Sequence, residues 1–330
     1  MPDGLLLILP VLLLVLAAEF VNGWTDAPNA IATVVSTRVL SPSQALIMAT
    51  VLNVVGTMSG TAVAATIGKG IVKPEVINLT TVGAAMVGII MWSMLAWYYG
   101  LPTSESHALV AGLTGAGLAT AGPSALLWEG WSKVLIGLVF STFLGFFGGL
   151  FIMGTLYRLL ANSRPGAVRR GFGRLQILSA AFMAFSHGSN DGQKFIGAFS
   201  LALLLGGILP EFQIPLWVIL LCALTMGVGT AVGGWRIVRT MGLRLTKLEP
   251  VQGFAAETGA ALTIELASRL GIPLSTTHTI STAIVGVGTT QRFSAVRWGV
   301  TIEIVIAWIL TFPVCGLIAW LVTKAFAALP

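Results

Sequence analysis

Three long apolar stretches, at 134–155, 216–232 and 302–322, decide most of what this chain can become. Each approaches the roughly 20 residues an α-helix needs to cross a bilayer. Strands of a membrane β-barrel alternate apolar and polar residues, so continuous runs exclude a barrel. Charge content agrees: only 9% of residues are Asp, Glu, Lys or Arg, against about 25% in soluble domains. The mean hydropathy is +0.92. The chain therefore reads as an all-α polytopic membrane protein. Its net charge of +6 does not require a nucleic-acid partner, because Lys and Arg collect in cytoplasmic loops of membrane proteins. Cys222 and Cys315 fall in apolar stretches and read as core residues, with no disulfide framework and no metal cluster. The opening stretch resembles a signal peptide but carries Asp3 where a basic region belongs, and it runs into a polar motif. It is expected to be a retained first helix.

Three motifs recur in one order. GWTD at 23–26 is answered by GSND at 188–191, GTAV at 60–63 by GTAV at 229–232, and GLPTSESH at 100–107 by GIPLSTTH at 271–278. The offsets run from 165 to 171 residues. One such match is chance; three collinear matches indicate a duplication. The expected fold is two inverted-topology repeats, each with three transmembrane helices (some broken) and a re-entrant helical hairpin. Repeat 1 covers 1–160 with its hairpin at about 81–121, and repeat 2 covers 175–330 with its hairpin at about 253–290. Between them, 161–174 is a basic linker flanked or occupied by Arg158, Arg164, Arg169, Arg170 and Arg174, expected in the cytoplasm. An odd number of crossings per copy makes the second enter from the opposite face. This arrangement puts twelve Lys and Arg inside against four outside, with Lys194 and Arg269 left within the membrane. Both termini are then outside, in a multi-pass protein of the cell membrane, the inner one in a bacterium.

The PTSES and PLSTT segments interrupt hydrophobic hairpins. Pro102 and Pro273 are expected to end the preceding helices, and Ser104 and Ser275 to cap the following ones. A break inside a bilayer persists only where it is buried or lines a cavity. The new helix presents free N–H groups, which suits an anion, and hydroxyls add donors without fixed charge. Two such tips entering from opposite faces can wrap one tetrahedral oxyanion. Ordinary helix caps at loop ends are the plainer alternative. His107 and His278 follow directly, as ligands or as structural side chains; the residues alone leave that open.

A second constellation is NGWTDAPNA at 22–30 and HGSNDGQKF at 187–195. Gly23 and Gly188 are expected to permit bends, and Pro28 to interrupt the first helix. Asp26 and Asp191 occupy matching positions. Buried acids in membrane spans are costly and tend to be functional; a structural hydrogen-bond knot is the alternative. Glu257 is a candidate coupling carboxylate. Glu265 precedes Arg269 by four residues, a helical pair. Glu19 and Glu303 also fall within apolar spans, with no assigned role.

At these motifs the sequence resembles the PiT family of inorganic phosphate transporters, and QGFAAE before the second hairpin strengthens the likeness. The resemblance covers nearly the whole chain. It implies phosphate uptake driven by a cation gradient, with no enzymatic step and no cofactor. The implied phosphate ligands are Thr103, Ser104, Ser106, Ser275, Thr276 and Thr277; the implied cation residues are Asp26, Asn29, Asn190 and Asp191. Sodium-coupled members carry a motif like GANDVANA in both halves. Here Thr25 stands where the second copy has Asn190, and Lys194 stands where the first has Asn29. A lysine ammonium beside Asp191 can replace a bound cation. Asn53 also stands where many sodium-driven relatives have Glu. SHGSNDGQK is closer to the bacterial low-affinity branch, linked to protons and to metal–phosphate complexes. Glu105, an extra carboxylate beside an anion site, is protonated, points away, or carries the coupling proton. A homodimer is compatible with the resemblance.

The leading expectation is a phosphate importer coupled to H+, working by alternating access. Sodium coupling, and sulfate in place of phosphate, are the near alternatives. An intramembrane Ser/His hydrolase is a different class, but Ser106 and His107 are adjacent on a helix and do not face each other. An anion channel would need a continuous pore, which paired hairpins do not suggest.

Overall fold

The computed structural model describes residues 2–328. It is helical from end to end, and the helices follow the apolar stretches. In the first half come α1 (Pro2–Ser36), α2 (Pro42–Thr57), α3 (Ala62–Gly70), α4 (Leu79–Tyr99), α5 (Glu105–Ala121) and α6 (Trp128–Leu159). In the second half come α7 (Pro165–Leu205), α8 (Leu216–Val232), α9 (Trp235–Arg239), α10 (Pro250–Arg269), α11 (Thr276–Gln291) and α12 (Trp298–Ala327). The two halves run through the same order: a long helix, a bent pair, two arms joined at a break, and a long helix. The bends are 67° between α2 and α3, and 60° between α8 and the segment Trp235–Arg244.

Local chemistry sets the boundaries. Ser41 caps α2 in a reciprocal box with Gln44, and Asn78 does the same for α4 with Thr81. Gly100 and Gly271 close α4 and α10 at φ 68° and 66°, a left-handed turn that glycine adopts without steric cost. The arms therefore end on these glycines. Pro102 and Pro273 follow in the extended break and do not themselves stop the helices. Nor does Pro28 interrupt α1, which is continuous through it. Its ring removes a single backbone bond, the one Trp24 O would accept.

Gly23 and Gly188 do not mark bends either, because both lie inside unbroken helices. They are contact points. A Cβ on Gly23 would lie 2.3 Å from Met226 O of α8, and one on Gly188 would lie 2.3 Å from Asn53 O of α2. These approaches hold a central bundle of α1, α2, α7 and α8.

Two three-helix blocks flank the bundle, and each crosses between the halves. The arms α4 and α5 pack on α12, while α10 and α11 pack on α6. The first block is fixed by Trp92 Nε1 donating to Thr311 Oγ1 (3.0 Å), Trp308 Nε1 to Pro102 O (2.9 Å) and Cys315 Sγ to Ala108 O (3.1 Å). Gly115 meets the Gly316 backbone so closely that a Cβ would sit 2.0 Å from its carbonyl oxygen. In the second block Gly145, Gly149 and Gly286 make equivalent approaches between α6 and α11.

Among the described residues, four single helices are long and apolar enough to cross a membrane, and the two bent pairs bring the number to as many as six. α7 is longer but carries the polar motif, which its burial at the centre allows. On α6, Phe143, Phe147 and Phe151 face outward, as suits a surface solvated by lipid. The protein is a multi-pass membrane protein. Two apolar cores fill it, one containing Val15, Phe199 and Leu113, the other Ile31, Met183 and Ile284. The polar motifs lie between them.

Candidate functional site

The two breaks meet. Ser104 and Ser275 cap α5 and α11, accepting from the amides of His107 (3.3 Å) and His278 (3.1 Å). The amides ahead of these, on Glu105, Ser106, Thr276 and Thr277, have no acceptor among the described residues. Unpaired first-turn amides are the positive end of each helix. Ser106 Oγ donates to Leu274 O at 2.8 Å, joining one break directly to the other. Thr103 is buried in the first break.

Lys194 ties the tips together. Its ammonium donates to Asp191 Oδ1, to Ser106 Oγ of the first break and to Leu274 O of the second, the last at 2.9 Å. A carboxylate, a hydroxyl and a carbonyl make up the donor set a bound monovalent cation would use. Lys194 and Asp191 are each 1% exposed and Asp26 is 4% exposed. Thr276 Oγ1 donates to Asp191 Oδ2 (2.7 Å), and Thr277 Oγ1 lies 3.4 Å from Asp26 Oδ2. Asn29 Nδ2 donates to Thr277 Oγ1 (2.9 Å) and Thr276 Oγ1 (3.3 Å). Hydroxyls and carboxylates expected to serve anion and cation thus form one network.

Glu105 is turned away from it. Its Oε1 accepts from Thr25 Oγ1 (3.0 Å) and its Oε2 from Ser93 Oγ (2.7 Å). Thr25 and Glu105, the two odd residues of the first copy, are therefore partners. Asn190 also faces elsewhere, donating to Ser268 Oγ (3.0 Å) and Ile272 O (3.3 Å). Glu257 is not part of the cluster. It accepts from Thr33 Oγ1 (2.5 Å), Gln176 Nε2 (3.1 Å) and Ser179 Oγ. Thr33 lies two turns beyond Asp26 on α1, about 10 Å along the axis.

His107 and His278 pack edge to face with ring centroids 4.6 Å apart, and His278 stacks on Trp308 at 3.6 Å. They line a cavity of about 330 Å³ with Phe312 and Thr142, which gives them a place in the α12 clamp. Glu303 lies at the surface, 3.5 Å from Arg244, and Glu265 pairs with Arg269 at 2.9 Å.

One site residue escaped the sequence reading. His187 Nδ1 lies 3.0 Å from Asn53 Oδ1, and its Nε2 lies 3.1 Å from Asp191 Oδ2. The signal was present: His187 precedes Asp191 by four residues, one helical turn on the same face. Asp26, His187 and Asp191 each offer a ligand atom within 4.8 Å of the others.

A multi-pass helical protein with two broken hairpins meeting over buried polar side chains has the construction of a membrane transporter. Comparison with known proteins gives the family. The phosphate transporter family model matches residues 22–168 and 161–319, and the chain belongs to that family. A probable low-affinity inorganic phosphate transporter of Rhizobium meliloti (strain 1021) is 45% identical over 303 residues, covering 91% of each chain. One from Bacillus subtilis (strain 168) is 39% identical over 315 residues, covering 94% of this chain and 95% of that one. Among solved structures, "The sodium-dependent phosphate transporter" superposes with a TM-score of 0.82 at 26% identity, covering 98% of this chain and all of that one.

Proposed function

We propose that this protein imports inorganic phosphate through the cell membrane by proton-coupled symport, with the two hairpins gating in turn around the joined breaks. The supporting observation is Lys194, whose ammonium fills the place between Asp191, Ser106 and Leu274 O where a coupling cation would otherwise sit. The free amides of Glu105, Ser106, Thr276 and Thr277, with the hydroxyls of Thr103, Ser104 and Ser275, supply donors for the anion, and the hydroxyls of Ser106, Thr276 and Thr277 join them when they turn from Leu274 O, Asp191 and Asp26. Two carboxylates with one ammonium leave no surplus positive charge for phosphate, so cations must travel with it. In this reading the halves are inverted repeats, the linker at 161–174 is cytoplasmic, and both termini are outside.

The test is labelled-phosphate uptake into proteoliposomes under an imposed proton or sodium gradient, with and without excess sulfate. Proton-driven uptake that sulfate does not block is the expected result. A requirement for sodium would transfer coupling to Asp26, Asn29, Asn190 and Asp191, the reading favoured by the sodium-dependent structural neighbour. Sulfate transport without phosphate transport would overturn the substrate.

Cargo composition has its own observation. The ligand atoms of Asp26, His187 and Asp191 converge, which suits a divalent cation carried with phosphate. Uptake of phosphate and magnesium in fixed proportion would support this; phosphate uptake in chelator would remove it.

Glu105, held by Thr25 and Ser93, is a candidate proton carrier. Glu105→Gln is expected to flatten the pH dependence of uptake. An unchanged pH profile excludes it from coupling.

A further inference from the structure

Glu19 lies two turns before Asp26 on the same face of α1, about 10 Å nearer its N-terminus. It is fully buried, as is Asn22. Asn22 Nδ2 donates to Glu19 Oε2 at 3.1 Å. The other two atoms of the pair, Glu19 Oε1 and Asn22 Oδ1, have no partner among the described residues. This stretch of α1 lies in the apolar core with Val15, Ala18, Phe199 and Cys222. An unpartnered buried acceptor costs about 1–3 kcal/mol, and an isolated buried carboxylate costs more. Two orphans on adjoining side chains call for one explanation.

A single hydrogen supplies it. A proton on Oε1 would turn one orphaned acceptor into a donor beside the other, Asn22 Oδ1, while Asn22 Nδ2 continues to donate to Oε2. An acid and an amide so placed have the matched donors and acceptors for a pair of hydrogen bonds, which would satisfy both orphans at once. A hard metal cation takes about six oxygens; this pair leaves two unpartnered.

We propose that Glu19 and Asn22 form a binding site for one proton, a station on the route to Asp26 and Asp191. The role in coupling rests on the proton-symport reading above; the site itself does not. The charged and titratable groups that act on Glu19 from its neighbours are Asp191 and Lys194 on α7, Glu105 on α5 and the Cys222 thiol on α8. α2 and α4 carry no acidic or basic side chain. Deprotonation therefore leaves a carboxylate whose nearest compensating charge, Lys194, is already held by Asp191.

The test is infrared difference spectroscopy of the full-length protein in liposomes, titrated with acid. The wild type should show a protonated-carboxyl band that Glu19→Gln removes. Asn22→Leu should move that band to higher frequency, because the acid loses its acceptor. A spectrum unchanged by Glu19→Gln, or a band unmoved by Asn22→Leu, overturns the site. If Glu19→Gln does not fold, the Asn22→Leu shift against wild type decides alone. A change in the band on adding sodium at fixed pH would assign the site to sodium and overturn the proton.

Coupling is read separately. One coupled proton drives about tenfold accumulation per pH unit, and Glu19→Gln should bring the ratio of uptake with and without the gradient toward one. An undiminished ratio removes Glu19 from the route. If the wild type itself shows no proton-driven uptake, the symport reading fails while the infrared band still decides the site.

Discussion

Lys194→Met is expected to reduce phosphate uptake by about a hundredfold or more, in membranes that still contain the protein. The ammonium serves three acceptors at once, on α7 and on both breaks. Methionine fills the volume but leaves Asp191 buried without its ammonium partner. Removing one partner of a buried ion pair costs about 3–5 kcal/mol, or two to three and a half orders of magnitude. The loss also frees Ser106 and Leu274 O from their common donor, so the tips lose their tie. Lys194→Asn, which restores the residue found at Asn29, tests the reason. An oxygen ligand returns without a charge, and that variant should gain a stimulation by sodium that Lys194→Met lacks. Uptake by the methionine variant within threefold of wild type would sink the idea that Lys194 stands in for a cation.

Gly188→Val is expected to yield almost no folded protein. The added Cβ would lie 2.3 Å from Asn53 O and 2.8 Å from Asn53 Cα, both backbone atoms of α2. Backbone cannot swing aside as a side chain can, so α2 and α7 must separate. Overpacking costs about 1–3 kcal/mol where side chains can adjust, and more where they cannot. The separation would also pull His187 from Asn53. Size-exclusion of detergent extracts reads the outcome, and a monodisperse peak at wild-type yield would refute it. Gly23→Val, against Met226 O of α8, should behave the same way.

These glycines show how far the sequence could be read. Apolar runs placed the spans, and the recurrence of GLPTSESH as GIPLSTTH located two breaks that prove to be capped by Ser104 and Ser275. Both signals are local. The letters G and P were ambiguous because a glycine that bends a helix and one that lets two helices touch are written alike. The difference lies in Met226 and Asn53, far away in the chain. For the same reason the sequence showed Glu105 and Thr25 as two separate oddities, though they form one hydrogen bond across 80 residues. Asn190 was grouped with Asp26 and Asp191 by motif and Glu257 by a candidate coupling role, whereas their partners Ser268, Ile272 O, Thr33, Gln176 and Ser179 hold them in other networks.

The clamps between the halves bear on how such a chain is made. A ribosome delivers α4 and α5 early, but the helix that secures them, α12, emerges after all the other described helices. Until then Trp92, Pro102 O and Ala108 O lack their partners, and a capped break waits without the contacts of α12. The second hairpin meets no such delay, since α6 precedes it. Insertion should therefore finish from the middle of the chain outward, and a nascent chain stalled before α12 should present its first hairpin, not its second, to quality control.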